Sequence, residues 1–326
     1  MIEIRELYKY YGERRALGPV SAEIGQGEIV GLLGENGAGK TTALRILACD
    51  LLPSSGSVQV DGIDVVERPD AVRERIGYLP DVPPLYGDMT VGEYLAFAAK
   101  LRSVPSKDVA RRVAAVEELT ALTERHGDPI ATLSHGFQQR VGIAQAIIHE
   151  PKLVVLDEPI SGLDPRQIVE MRQLVRDLRG KHTVLVSSHI LTEISETCDR
   201  ILVIRNGEIV AAGTEAELTK EFSGATQIRV TVRVPGSVEK EAKEKAQAIL
   251  AAVSGVDAVE GTEAEAPELV SFDVKAATEV RPALVSSLVS AGLDVFEVSR
   301  KANELESVFL KLAGGDGGST KKGGDA

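Results

Sequence analysis

Residues 29–41 read Ile29-Val30-Gly31-Leu32-Leu33-Gly34-Glu35-Asn36-Gly37-Ala38-Gly39-Lys40-Thr41, an apolar run followed by the pattern GxxxxGK[ST]. The run predicts a buried strand, and the glycines a loop that feeds a helix starting at Lys40. Glycines let backbone N–H groups turn inward around phosphate oxygens, and a helix N-terminus adds positive potential at the same point. Lys40 supplies a cation for the β- and γ-phosphates, and Thr41 a hydroxyl for Mg²⁺. Gly34, Glu35, Asn36, Gly37, Ala38, Gly39, Lys40, Thr41 and Thr42 are therefore the predicted nucleotide-binding residues, and the chain is expected to bind a nucleoside triphosphate.

Outward from this loop, Leu44, Ile46 and Leu47 recur at helical spacing, Pro53-Ser54-Ser55-Gly56 stops the helix, and 57–60 reads as a strand. Upstream, 2–4 and 20–24 alternate as short strands. Residues 83–150 turn helical, with amphipathic candidates at 91–101, 107–122 and 137–148. Then 153–156 and 183–186 read as buried strands around a helix at 166–178, which predicts a parallel α/β core. The strand 153–156 ends in Asp157-Glu158, and the C-terminal ends of parallel strands face the ligand. Asp157 can hold Mg²⁺ through water, and Glu158 can take a proton from an attacking water, an effect of order 10²–10⁴ in rate.

The stretch Leu133-Ser134-His135-Gly136-Phe137-Gln138-Gln139-Arg140 precedes that strand, with Ser134 placed to cap a helix. In this order the motifs resemble those of ATP-binding cassette (ABC) ATPases, over residues 2–220. The resemblance implies that Ser134, His135, Gly136 and Phe137 form the signature that contacts ATP on the other subunit of a head-to-tail dimer. His135 and Phe137 depart from the usual LSGGQ, as in a subset of exporter-type cassettes. It also implies that Asp164, in Ser161-Gly162-Leu163-Asp164, belongs to the D-loop, while Asp164-Pro165 is equally a helix start. His189, after Ser187-Ser188, would contact the γ-phosphate, with Lys40 and Glu158 as the other catalytic groups. Asp81 stands where the family has a glutamine and would sense metal and couple to a partner. Tyr11 would stack on adenine, although Tyr8 and Tyr10 lie close by. Leu85, Tyr86, Met89 and Val91 either line a groove for the permease or pack their own core.

The length of 326 residues suits about two domains at roughly 150 each. With 43% hydrophobic and 26% charged residues, disordered and collagen-like classes are excluded. The net charge of −12 argues against nucleic acid as a partner. Cys49 and Cys198 have no metal-ligand spacing and fit a reducing compartment. No signal peptide and no apolar stretch of about 20 residues is evident. The expected fold class is α/β: a P-loop NTPase ABC cassette over 1–222, with a RecA-like parallel core, an N-terminal antiparallel β part and a helical insertion at about 83–150. An accessory α+β domain follows over 223–313, with strands at 227–234, 256–259, 269–274 and 293–298 and helices at 238–253, 278–291 and 303–312. A disordered tail is expected at 314–326, and the acidic stretch 257–268 should be a solvated loop or hairpin edge.

By resemblance, the expected role is the ATPase subunit of an exporter similar to gliding-motility and multidrug cassettes. It would use ATP and Mg²⁺, form a homodimer, and sit on the cytoplasmic face of the membrane through an integral-membrane permease. The alternative is a soluble ABC ATPase acting as a mechanical or regulatory module.

Overall fold

A computed structural model describes residues 1–223, 226–233, 239–262, 269–276 and 279–300. The chain divides into two compact units, 1–215 and 216–326, where the sequence reading places the boundary at 222/223.

In the first unit, β1 (Ile2–Tyr11) and β2 (Arg14–Ile24) form an antiparallel hairpin in which Ile2 faces Ile24. The hairpin is longer than the predicted 2–4 and 20–24, because its outer half carries charged and tyrosine side chains on a solvated face that blurs the alternation. Then come β3 (Ile29–Leu33), α1 (Lys40–Leu47), β4 (Ser55–Val60), β5 (Ile63–Asp64), α2 (Pro69–Arg73) and β6 (Ile76–Leu79). Three helices follow: α3 (Val91–Leu101), α4 (Val109–Leu119) and α5 (His135–Ile147). Helix α3 begins with a capping box, in which the Thr90 hydroxyl accepts from Glu93 N and the Glu93 carboxylate from Thr90 N. The unit continues through β7 (Leu153–Leu156), α6 (Pro165–Asp177), β8 (Thr183–Ser188), α7 (Leu191–Ser195), β9 (Arg200–Arg205) and β10 (Glu208–Gly213).

Two sheets result. One is antiparallel, in the order β2-β1-β4-β5. The other runs β10-β9-β3-β8-β7-β6; all its neighbours are parallel except the edge hairpin of β9 and β10. Every residue of β3, β7 and β8 is buried, which is why β3, β7 and the 184–186 stretch of β8 read as apolar runs. A core of Leu17, Leu32, Leu44, Leu47, Val58, Leu185 and Leu202 joins both sheets to α1. The C-terminal ends of β3, β7 and β8 are thereby held side by side: Leu33 is opposite Ser188, and Leu156 opposite Val186.

Helix α8 (Glu215–Ser223) leads to the second unit. Its order is β11 (Thr226–Arg233), α9 (Glu239–Ala251), β12 (Val256–Thr262), β13 (Leu269–Ala276), α10 (Arg281–Ser290) and β14 (Asp294–Arg300). The antiparallel sheet β12-β13-β11-β14 with two helices is the βαββαβ arrangement of ferredoxin-like folds, built on Ile228, Val230, Phe272, Val274, Leu284 and Leu288. Part of the acidic stretch lies in β12, an edge strand, where Glu260 accepts from Lys275 at 2.8 Å. The predicted helix 303–312 and tail 314–326 lie outside the described residues.

Candidate active site

The loop after β3 takes its shape from glycine. Gly37 and Gly39 have φ of 82° and 108°, a region that L side chains avoid. A Cβ on Gly39 would also sit 2.8 Å from the Ala16 carbonyl oxygen. Gly39 is the N-cap of α1, so the free N–H groups of the first turn open onto the loop. Lys40 is 4% exposed; its Nζ donates to the carbonyl oxygens of Gly34 at 2.7 Å and Glu35 at 3.3 Å, and lies 3.1 Å from Glu158 Oε1.

Glu158 follows β7 with φ of 49°, and this left-handed turn separates its direction from that of Asp157. Its other oxygen, Oε2, accepts from His189 Nδ1 at 2.9 Å. Asp157 is fully buried. Its Oδ1 accepts from the Ser187 hydroxyl at 2.6 Å, while Oδ2 is buried without a partner. Burial holds the Asp157 pKa above the ordinary aspartate value, opposed by the Ser187 hydrogen bond and the neighbouring Thr41 hydroxyl.

A cleft of about 700 Å³ is lined by Tyr11, Arg14, Arg15, Asn36, Gly37, Gly39, Lys40, Thr41, Thr42, Asp81, Glu158 and Asn206. A larger cavity of about 1060 Å³ also touches Thr41 and Asp81 and reaches Asp157. Carboxylate and hydroxyl oxygens around an orphaned buried Oδ2 form a hard donor set that suits Mg²⁺. Of the three neighbouring tyrosines, Tyr11 lines the cleft, whereas Tyr8 and Tyr10 stack on each other at 6.3 Å.

The signature residues and Asp164 line neither of these spaces. Ser134 occupies the N-cap position of α5, but its hydroxyl makes no capping hydrogen bond; the sequence reading anticipated the position and not the free hydroxyl. His135 Nε2 donates to the Ser161 carbonyl at 3.2 Å. The guanidinium groups of Arg125 and Arg140 lie over the Phe137 ring, 5.1 Å and 5.9 Å from its centroid. Asp164 caps α6, its Oδ1 accepting from Gln167 N at 3.0 Å.

Sequence reasoning missed Arg14, Arg15, Asn206 and the role of Ser187. The two arginines directly follow Tyr11-Gly12-Glu13, and that adjacency was the available signal. Asn206 sits in the turn between β9 and β10, two strands that the sequence reading did not single out.

The sequence pattern of the ABC transporter family matches residues 17–161. Over 320 residues the chain is 34% identical to the uncharacterized ABC transporter ATP-binding protein YxlF of Bacillus subtilis, covering 96% of this chain and 99% of that one. It is 30% identical to the linearmycin resistance ATP-binding protein LnrL of Bacillus subtilis, over 96% of this chain and 98% of the relative. Among solved structures, the dimeric post-hydrolysis ATP-binding cassette MJ0796 bound to ADP and Pi matches with a TM-score of 0.60 and 25% identity, over 66% of this chain and 98% of that chain. A phosphate loop and a carboxylate pair at the ends of parallel strands, in a chain similar to these relatives over nearly its whole length, place this protein in the ABC transporter ATP-binding family. It is an ABC ATPase, the transporter subunit that binds and hydrolyses ATP. Among the described residues no helix is long and apolar enough to cross a membrane.

Proposed function

We propose that the chain powers an exporter: two copies close head to tail on two ATP, and closure drives a separate integral-membrane permease that holds the protein at the cytoplasmic face. The observation that carries this reading is the separation of Ser134, His135, Gly136 and Phe137 from the cleft that contains Lys40 and Glu158. A signature that cannot serve its own cleft calls for a second chain. The name of the linearmycin resistance relative supports export.

In this reading Tyr11 stacks on the adenine, and the backbone N–H groups of 34–42 with Lys40 hold the phosphates. The phosphates compete with Glu158 for the Lys40 ammonium, which leaves Glu158 to take the proton of the attacking water. The water oxygen bonds the γ-phosphorus as the bond to the bridging oxygen of ADP breaks. His189, donating to Glu158 Oε2, orients that carboxylate, and the D-loop aspartate Asp164 keeps α6 capped beside the signature. Thr41, Asp157 and Asp81 would hold Mg²⁺, which would supply positive charge to neutralise the phosphates.

For the permease, exposed Val82, Tyr86, Phe97 and Leu101 offer an apolar surface, with the Tyr86 ring 6.0 Å from Tyr94 and 5.7 Å from Phe97. Val91 is fully buried and serves the core instead. The test combines two measurements. Glu158→Gln should sediment as a dimer with ATP and Mg²⁺ while turnover falls by about 10² or more. Tagged protein drawn from detergent-solubilised membranes should bring down a polytopic partner. A monomer at saturating ATP would sink the dimer, and recovery with soluble partners alone would favour a mechanical or regulatory module.

A further inference from the structure

Ser187 is fully buried at the end of β8, one residue beyond the pair that aligns Leu156 with Val186, so it faces Asp157 across the two strands. Its single hydroxyl makes two hydrogen bonds with fixed direction. The proton goes to Asp157 Oδ1 at 2.6 Å, because a carboxylate can only accept, and a lone pair then accepts from Glu158 N–H at 2.9 Å.

The first bond ties up one oxygen of Asp157 and leaves Oδ2, buried and unpartnered, as the one available to the cavity shared with Thr41 and Asp81. The second pins the backbone of Glu158 where φ is 49°, a conformation that a non-glycine residue leaves unless it is held. That backbone turn sends the Glu158 side chain to Lys40 and His189. Ser187 lines neither the cleft of Lys40 and Glu158 nor the larger cavity beside Asp157; it acts through its two neighbours.

We infer that Ser187 is a positioning residue for hydrolysis, one hydroxyl that orients the Asp157 carboxylate toward the metal site and locks the Glu158 backbone turn. The inference rests on the roles proposed above for Asp157 and Glu158. Groups that orient metal-binding and reacting side chains typically change metal affinity or activity by about 10–100-fold when removed.

The test uses the full chain and three variants, S187A, S187T and S187V. S187T and S187V are nearly isosteric and differ in the hydroxyl, so any cost of added bulk cancels between them. S187V and S187A should lose about 10–100-fold in kcat, with KM for ATP changed by less than about threefold. Mn²⁺ affinity with a non-hydrolysable ATP analogue, read by electron paramagnetic resonance, should weaken by about tenfold or more in both. S187T should exceed S187V by about tenfold in kcat and in Mn²⁺ affinity.

Equal behaviour of S187T and S187V, or an S187A protein within about twofold of the parent in both readouts, overturns the inference while E158Q stays inactive. An E158Q protein with ordinary turnover overturns instead the base assignment and, with it, the Glu158 half of this inference. The Mn²⁺ measurement decides the Asp157 half independently.

Discussion

The Lys40 ammonium stands 3.1 Å from Glu158 Oε1, joining the helix that follows the phosphate loop to the carboxylate that follows β7. The two side chains are 4% and 11% exposed, so each neutralises a charge that the interior would otherwise hold alone. Removing one partner of such a pair strands the other.

Lys40→Met should therefore lower stability, by up to about 3 kcal/mol because His189 still serves Glu158. Glu158→Gln should cost less, since Lys40 keeps two backbone carbonyl acceptors. The double variant should be less destabilised than the sum of the singles, a coupling that urea melts of all four proteins would measure. Strict additivity would show the pair to be energetically idle.

Asp157 gives a pH signature. Burial raises its pKa, so its folded form holds a proton more readily than the unfolded chain, and its contribution to stability declines as pH rises through the folded-state pKa. Asp157→Asn removes that penalty and should melt higher than the parent at pH 7 to 8, with the gap closing toward pH 4, while ATP turnover is lost. A lower melting temperature for Asp157→Asn at pH 8 would contradict this account.

His149 acts on the acid side. Its Nε2 donates to the Ile76 carbonyl at 3.2 Å, Nδ1 is buried without a partner, and burial, assisted by Arg102, pushes its pKa down to about 4. The unfolded imidazole takes up its proton near pH 6.5, before the folded one does, so stability falls as pH drops from there toward 4, by about 3 kcal/mol. His149→Gln should flatten that slope in chemical melts run from pH 7 to 4. An unchanged slope would remove His149 as its source.

Ser134 separates capping from contact with a partner chain. Loss of a working N-cap costs about 1 kcal/mol, but the Ser134 hydroxyl makes no capping bond. Ser134→Ala should hold its melting temperature within the equivalent of about 0.5 kcal/mol and lose ATP-driven dimerisation and turnover. A large fall in melting temperature with turnover intact would assign the residue to folding instead.

Several parts of this protein were legible in the sequence because their physics is local. The phosphate loop is one: Gly37 and Gly39 must be glycine for backbone reasons, and Lys40 and Thr41 lie next to them in the chain. The strands β3 and β7 and the 184–186 stretch of β8 are another, since burial on both faces leaves apolar runs. The hairpin β1–β2 was legible only in part, as its solvated outer half carries Lys9, Tyr10, Arg14 and Arg15 instead of an alternating pattern. Strands β9 and β10 carried a comparable signal that the sequence reading did not use: 201–204 is a buried apolar run, and Asn206-Gly207 is the turn that joins the antiparallel pair.

By itself, then, the sequence determined the glycine-rich loop before α1, the parallel core and the carboxylate pair Asp157-Glu158, because backbone sterics and burial act over a few neighbouring residues. Tertiary structure alone decided that Glu158 stands between Lys40 and His189, that one Ser187 hydroxyl serves both Asp157 and Glu158, that Tyr11 and not Tyr8 or Tyr10 lines the cleft, and that Ser134 lies outside it. These relations join segments far apart in the chain. The first two arise from the register of β3, β8 and β7, which the hydrogen-bond ladder sets between strands and no single strand encodes.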